Sequence, residues 1–73
     1  REKRLVPLAT SLGKTLGEYV FAYPPGIPLG APGEVIDGRL LSAIRAFADG
    51  GISVKSNSGS LPEKILVLVD ENS

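Results

Sequence analysis

The stretch that decides the fold is YPPGIPLGAPGE, residues 23–34, which holds four of the six prolines of the chain. Proline fixes φ and removes a backbone donor, and it keeps the residue before it out of the helical region. The segment is therefore predicted to be extended and bent at its glycines, and to be neither a helix nor a central strand. It ends in one carboxylate, Glu34, which a stiff approach could place in a recognition site or in a plain crossover.

An amphipathic helix is predicted over residues 38–49, directly after this segment. Asp37 is a good N-cap candidate, and Gly50 is predicted to provide the usual left-handed stop. Arg39 and Arg45 fall on the polar face and are interpreted as solvated residues. The apolar face that defines the helix consists of Leu40, Leu41, Ile44, Phe47 and Ala48.

A shorter N-terminal helix is predicted over residues 7–12, extending at most to Leu16. Its basis is the recurrence of leucine every four residues from Leu8 to Leu16, with Pro7 acceptable in a first helical turn. The neighbouring Gly-Lys-Thr triplet at 13–15 is not a phosphate loop, because that motif needs a glycine where Leu8 stands.

About four short strands complete the expectation, and they are predicted at residues 5–6, 19–22, 52–55 and 65–69. The second and the fourth are apolar without alternation, which indicates strands covered on both faces, with Tyr19, Phe21 and Tyr23 as packing residues. The fourth could instead be an edge that awaits a partner. A domain this small is expected to leave part of one of these two strands uncovered as a docking face. The overall prediction is a small single α+β domain with a proline-rich extended segment.

The composition excludes several classes of function. Eight basic and eight acidic residues cancel, so no long-range field favours nucleic acid or an anionic membrane. The chain contains neither cysteine nor histidine, which removes thiolate metal sites, common zinc sites and the ordinary general base. No apolar run approaches membrane-spanning length. Because the sequence begins without methionine, it is expected to be a piece of a longer protein.

Four short motifs together resemble a known family. They are VPL at 6–8, the glycine at 13, YPPGIPL at 23–29 and APGEVI at 31–36. This pattern resembles the C-terminal domain of the Orn/Lys/Arg decarboxylase major family, pyridoxal-phosphate (PLP) enzymes of the aspartate-aminotransferase fold type. The resemblance covers residues 5–50, and beyond residue 51 it is architectural only.

The resemblance implies a cytoplasmic, homo-oligomeric parent enzyme that decarboxylates arginine, lysine or ornithine. Residues 1–73 would then be its C-terminal domain, which docks on the PLP domain and completes the substrate pocket. The family's Schiff-base lysine lies beside a histidine in an earlier domain, and Lys14, Lys55 and Lys64 have no such context. PLP is therefore expected outside this fragment, which is predicted to be inactive alone. No catalytic, cofactor-binding or metal-binding residue is assigned to it.

Glu34 is the one site residue that the resemblance implies. It occupies the position of the family's PGE motif, which contributes to recognition of the distal cation of the substrate, and a positioned carboxylate suits that role. Glu34 could instead cap a helix or pair with a local arginine. Gly30 and Ala31 depart from the family pattern, in which bulkier apolar residues are frequent. The competing function is a non-catalytic interaction module that uses the PxxP spacing at 25–28.

Overall fold

The computed structural model describes residues 2–23 and 26–69. It contains six strands, one short 3-10 helix and one α-helix. In chain order these are β1 (Glu2–Pro7), the 3-10 helix (Leu8–Thr10), β2 (Thr15–Leu16), β3 (Val20–Tyr23), β4 (Ile27–Gly30), α1 (Gly38–Asp49), β5 (Ser53–Ser56) and β6 (Lys64–Val69).

The strands form two three-stranded antiparallel sheets, with the orders β1-β6-β2 and β4-β3-β5. The apolar core lies between these sheets and α1. Its buried members are Leu16, Val20, Ile36, Leu40, Ile44, Ile65 and Val67. The prediction of an α+β domain with two helices and four strands is therefore wrong, since the described chain is mostly β with a single α-helix.

The N-terminal helix is the first error in that prediction. Within the predicted helix only Leu8–Thr10 form a helical turn, of the 3-10 type, and Pro7 ends a strand. That strand, residues 2–7, contains the one predicted at 5–6 and pairs along the whole of β6. Gly13 then reverses the chain with φ +87°, and Leu16 returns to pair with β6. The leucine spacing therefore did not reflect one helical stripe, because pairing between distant strands overrode a weak local preference. Leu12, the middle residue of that stripe, is 61% exposed.

The proline-rich segment is the second point of difference, because part of it forms strand β4. This strand lies at the edge of its sheet, where the missing N–H of Pro28 disrupts no central ladder. The expectation that the segment is no central strand is thus confirmed for residues 27–30, although it was not predicted to be a strand. The expectation for Pro24 and Pro25 lies outside the described residues.

The amphipathic helix is confirmed at Gly38–Asp49. The backbone N–H of Leu40 donates to Asp37 Oδ1 at 2.9 Å, so Asp37 is the N-cap as predicted. Leu40 and Ile44 are buried, and both arginines of the helix are exposed. The prediction of Gly50 as the left-handed stop is wrong, since Gly50 has φ −82° and the left-handed residue is the next one, Gly51, with φ +82°.

The other strands lie where they were predicted, and among them the predicted burial is wrong for β3. β3 buries Val20 and Ala22 on one face only, so its prediction as a strand covered on both faces is wrong. β6 lies between β1 and β2, which confirms an inner strand and excludes the alternative of an open edge. Within residues 2–23 and 26–69, no helix has the length and apolar character that crossing a membrane requires.

Candidate functional site

Glu34 lies at the end of a tight turn formed by residues 31–34. Its N–H donates to the carbonyl of Ala31 at 3.2 Å, with Pro32 in the second position and Gly33 in the third. Gly33 has φ +96°, which glycine adopts readily and other residues rarely adopt. Proline followed by a glycine with positive φ is the pattern of a type II turn, so the sequence itself fixes the approach to Glu34.

The backbone around Glu34 is also held by hydrogen bonds to β2 and to residues 13 and 14 before it. Leu16 N donates to Glu34 O at 2.7 Å, and Gly33 N donates to Leu16 O at 2.8 Å. Two more bonds extend this pairing, from Ile36 N to Lys14 O at 2.8 Å and from Gly13 N to Ile36 O at 2.7 Å. Because β2 is itself paired with β6, the Cα of Glu34 is fixed to the core.

The side chain of Glu34 is exposed and lines a groove of about 300 Å³. Leu29, Leu40 and Ala43 give the groove an apolar wall, and Asp37 and Arg39 also line it. Asp37 Oδ1 accepts the bond from Leu40 N in the first turn of α1, whereas no hydrogen bond to the Glu34 carboxylate occurs among the described residues. A larger groove of about 510 Å³ lies elsewhere, between residues 7–9 and α1.

The two local roles considered for Glu34 are not found in the described part of the chain. Asp37, three residues later, is the N-cap of the helix. Arg39 lines the same groove, yet neither a hydrogen bond nor an ion pair joins it to Glu34 among residues 2–23 and 26–69. The geometry therefore leaves the carboxylate of Glu34 open to a ligand.

Glu18 is a buried carboxylate that the sequence reasoning missed. It is 2% exposed and accepts hydrogen bonds from Ser58 N at 2.7 Å, Leu66 N at 2.8 Å and Ser58 Oγ at 3.1 Å. The next residue, Tyr19, exchanges two further bonds with Asn57. Glu18 thus ties the 57–60 loop to β6. A carboxylate in front of an apolar strand is ordinarily interpreted as a surface residue, so the sequence carried no signal for this one.

Three aromatic rings lie in a row on the outer face of β3, and we call them the aromatic stripe: Tyr19, Phe21 and Tyr23. Successive ring centroids are 6.0 Å apart. Tyr19 is 48% and Tyr23 43% exposed, so these residues pack on one another and much less on the core. Pro28 and Lys55 flank Phe21 on the neighbouring strands.

The lysines do not fit a Schiff-base cofactor. All four lysines, Lys3, Lys14, Lys55 and Lys64, are exposed, whereas a Schiff-base lysine needs an enclosed site with an anchor for the phosphate. The Gly-Lys-Thr triplet offers no such anchor, because Gly13 N and Lys14 N already donate to Ile36 O and Ser11 O. No group of three or more potential metal ligands occurs among the described residues.

Comparison with known proteins adds the family. The model of the Orn/Lys/Arg decarboxylase C-terminal domain matches residues 1–51, which include the turn at Glu34 and the whole of α1. The chain belongs to this family. The resemblance carried by the motifs at residues 6–8, 13, 23–29 and 31–36 is thereby confirmed.

Curated relatives of this decarboxylase domain point the same way. The chain is 41% identical over 54 residues to an arginine decarboxylase of Halalkalibacterium halodurans, an alignment that covers 74% of the chain and 11% of that protein. It is 34% identical over 67 residues to an arginine decarboxylase of Bacillus subtilis, which covers 92% of the chain and 14% of that protein. The chain therefore spans only about a tenth to a seventh of the length of these relatives.

Proposed function

We propose that residues 1–73 are the C-terminal domain of a PLP-dependent decarboxylase of basic amino acids, and that Glu34 binds the distal cation of the substrate. The observation that carries this proposal is the exposed carboxylate of Glu34 on a backbone fixed by the 31–34 turn and by β2. The family and the names of the relatives support arginine as the first substrate to test.

The groove suits one end of a basic amino acid. Arginine, lysine and ornithine each carry an apolar stem of methylene groups that ends in a cation. The apolar wall formed by Leu29 and Leu40 can contact the stem, and Glu34 can accept charge-assisted hydrogen bonds from the cation. No positively charged neighbour has to leave Glu34 before the substrate cation arrives, since no described residue pairs with it.

The rest of the reaction belongs to the parent enzyme in this proposal. PLP supplies the electron sink for loss of the α-carboxylate, and the residues of this chain do not fit that cofactor. The role of this chain is to bind the distal end of the substrate, so the isolated fragment is expected to be inactive. The parent is proposed to be a cytoplasmic homo-oligomer.

We further propose that the aromatic stripe docks on the PLP domain. Two tyrosines that are nearly half exposed beside Phe21 form an apolar face that a larger protein would cover, and most of the length of the relatives lies outside this chain. Replacing Tyr19 and Tyr23 by threonine keeps a good strand former at both positions. The double variant should lower the Tm of the full-length protein and leave that of the isolated chain nearly unchanged. An equal decrease in the Tm of the full-length protein and of the isolated chain would refute docking.

The test of Glu34 is the substitution Glu34→Gln in the full-length protein. This change keeps the shape and removes the charge. A hydrogen bond to a charged group contributes about 1.5–3 kcal/mol, so kcat/KM for the basic amino acid should fall by roughly 10- to 150-fold. The absorbance of the bound cofactor and the Tm should hardly change, because the side chain contacts neither the cofactor nor the core.

Glu63→Gln is the matched control. Glu63 is also exposed, lies at the other groove, and undergoes the same change of charge. Its variant should keep the kcat/KM of the wild type. Unchanged kcat/KM of the Glu34 variant with arginine, lysine and ornithine alike would remove Glu34 from the substrate site.

The interaction-module alternative is less well supported. Pro28 is part of β4, which is paired with β3, and a strand in a sheet is not a free polyproline helix that an SH3-type groove could accept. A full-length chain without a cofactor lysine beside a histidine upstream of this domain would restore that alternative.

A further inference from the structure

Gly30 occupies a position with no room for a side chain. It ends β4, is buried, and pairs with Val20 at an irregularity in the ladder. A methyl group at position 30 would lie 2.8 Å from Leu16 Cδ2, and 3.6 and 3.7 Å from the two methyl carbons of Leu40. Carbon atoms pack at about 3.5–4.0 Å, so Leu16 would have to move. Leu16 is itself fully buried, and its movement meets other core residues.

Leu16 is also the residue that holds Glu34. Its N–H donates to Glu34 O and its carbonyl accepts from Gly33 N, so both bonds reach the turn that carries the carboxylate. The second neighbour of position 30, Leu40, lines the groove beside Glu34. Position 30 therefore touches both the strand that anchors Glu34 and the wall against which a ligand would lie.

From these contacts we propose that the close fit of Gly30 against Leu16 sets the position of the Glu34 carboxylate, and with it the preference for a guanidinium over an ammonium group. The inference rests on the proposed function of Glu34 and adds a positioning residue that makes no contact with the ligand. Gly30 directly precedes the 31–34 turn in the chain, and in this proposal its effect passes through the side chain of Leu16 to the two backbone bonds that Leu16 makes with Gly33 and Glu34.

Guanidinium and ammonium groups differ in how strictly the position of a carboxylate partner is constrained. A guanidinium presents a planar fork of donors that matches a carboxylate through two parallel bonds, and this match depends on the angle. An ammonium is a compact charge with rotatable donors, and it tolerates a shift of its partner. Displacing the carboxylate should thus weaken binding of a guanidinium more than binding of an ammonium.

The test is Gly30→Ala in the full-length protein. The φ of Gly30 lies outside the left-handed region, so alanine adds a methyl group without backbone strain. We expect kcat/KM for arginine to fall about 10-fold through a higher KM, since small misplacements of binding groups carry costs of this order. Inhibition by agmatine should weaken about as much, and inhibition by cadaverine by less than about threefold. An equal loss for both inhibitors would overturn the inference, because a merely structural defect has no preference between cations.

Two further variants serve as control and rescue. Gly38→Ala is the matched control, because a methyl group there meets nothing within 4 Å and φ is not positive. It should leave kcat/KM and both inhibition constants unchanged. Leu16→Val removes the terminal carbons that a methyl group at position 30 would strike. In that background Gly30→Ala should cost less than about threefold, and an undiminished 10-fold loss would contradict the assigned contact.

Glu34→Gln combined with Gly30→Ala separates this inference from the proposed function. If Gly30 acts through Glu34, adding Gly30→Ala to Glu34→Gln should lower kcat/KM by less than about twofold. A full 10-fold further loss, or no effect of Gly30→Ala in the wild type while Glu34→Gln is impaired, would refute the role of Gly30 and leave that of Glu34 intact. An unimpaired Glu34→Gln variant would instead refute the proposed function.

Discussion

Replacing Glu18 should destabilise this domain more than replacing any exposed acidic residue. Its carboxylate accepts hydrogen bonds from two backbone N–H groups, those of Ser58 and Leu66, and from the Ser58 hydroxyl. Because Glu18 is only 2% exposed, its carboxylate is shielded from water and is satisfied by these three hydrogen bonds. The substitution Glu18→Ala leaves both backbone donors without their acceptor.

The size of the effect follows from the number and surroundings of these donors. Leaving one backbone N–H without a partner costs about 1–3 kcal/mol, and the lower half of that range applies because Ser58 is exposed and Leu66 half-buried. Two such groups with the lost hydroxyl bond give about 2–4 kcal/mol for Glu18→Ala. Glu18→Gln keeps one acceptor oxygen but turns an NH2 group toward one backbone donor, so about 1–2 kcal/mol is expected.

Urea unfolding of the 73-residue chain, followed by circular dichroism, measures both variants. At about 0.05–0.15 kcal/mol per residue the whole domain has roughly 4–11 kcal/mol of stability, so either loss lies well within the measurable range. In the full-length protein, hydrogen exchange at the amides of Ser58 and Leu66 should accelerate in both variants. Glu63→Gln, at an exposed residue, should change neither measurement.

The order of the variants is the decisive outcome. We expect Glu18→Ala to lose about twice as much stability as Glu18→Gln. Losses below about 0.5 kcal/mol for Glu18→Ala, or equal losses for both variants, would show that the three bonds do not hold the loop to β6.

Two further substitutions test the elements that position the site. Asp37→Ala removes the acceptor of Leu40 N and should cost about 1 kcal/mol in urea unfolding, whereas Asp37→Asn should cost less than half of that; equal losses would show that the cap bond is not the cause. Gly17→Ala places a methyl group 3.1–3.3 Å from the backbone atoms of residues 66–68, which cannot rotate away, and should cost about 1–3 kcal/mol. Gly38→Ala, in open space, is its control, and similar Tm values for the two variants would contradict the steric argument.

Part of the candidate site could be predicted from the sequence because its signals are local. Proline and glycine at 32–33 form the turn that leads to Glu34, and both act through their own backbone preferences. Asp37 caps α1 through a bond to a residue only three positions away. The motif resemblance at 23–36 was confirmed by the family match, whereas the role of Glu34 stays a prediction.

The errors occurred where partners lie far apart in the chain. A helix was predicted at residues 7–12, yet only Leu8–Thr10 form a helical turn, and the strand predicted at 5–6 extends over residues 2–7 because β6, near the other end, offers a ladder. The strand at residues 19–22 was predicted to be covered on both faces, because an apolar run does not indicate how many layers the chain can pack against it. The described residues bury the face of Val20 and Ala22 and leave Tyr19 and Tyr23 exposed.

The sequence by itself determined the helix with its cap, the glycine turn and the family motif, because each depends on backbone preferences or on residues within a few positions. Only the tertiary structure decided the full extent of the N-terminal strand, the burial of Glu18 and the contact of Gly30 with Leu16. The bond from Leu66 N to Glu18 joins residues 48 positions apart. Such contacts form only when distant segments are brought together, and their loop-closure cost is offset by pairing and burial that no short window of sequence contains.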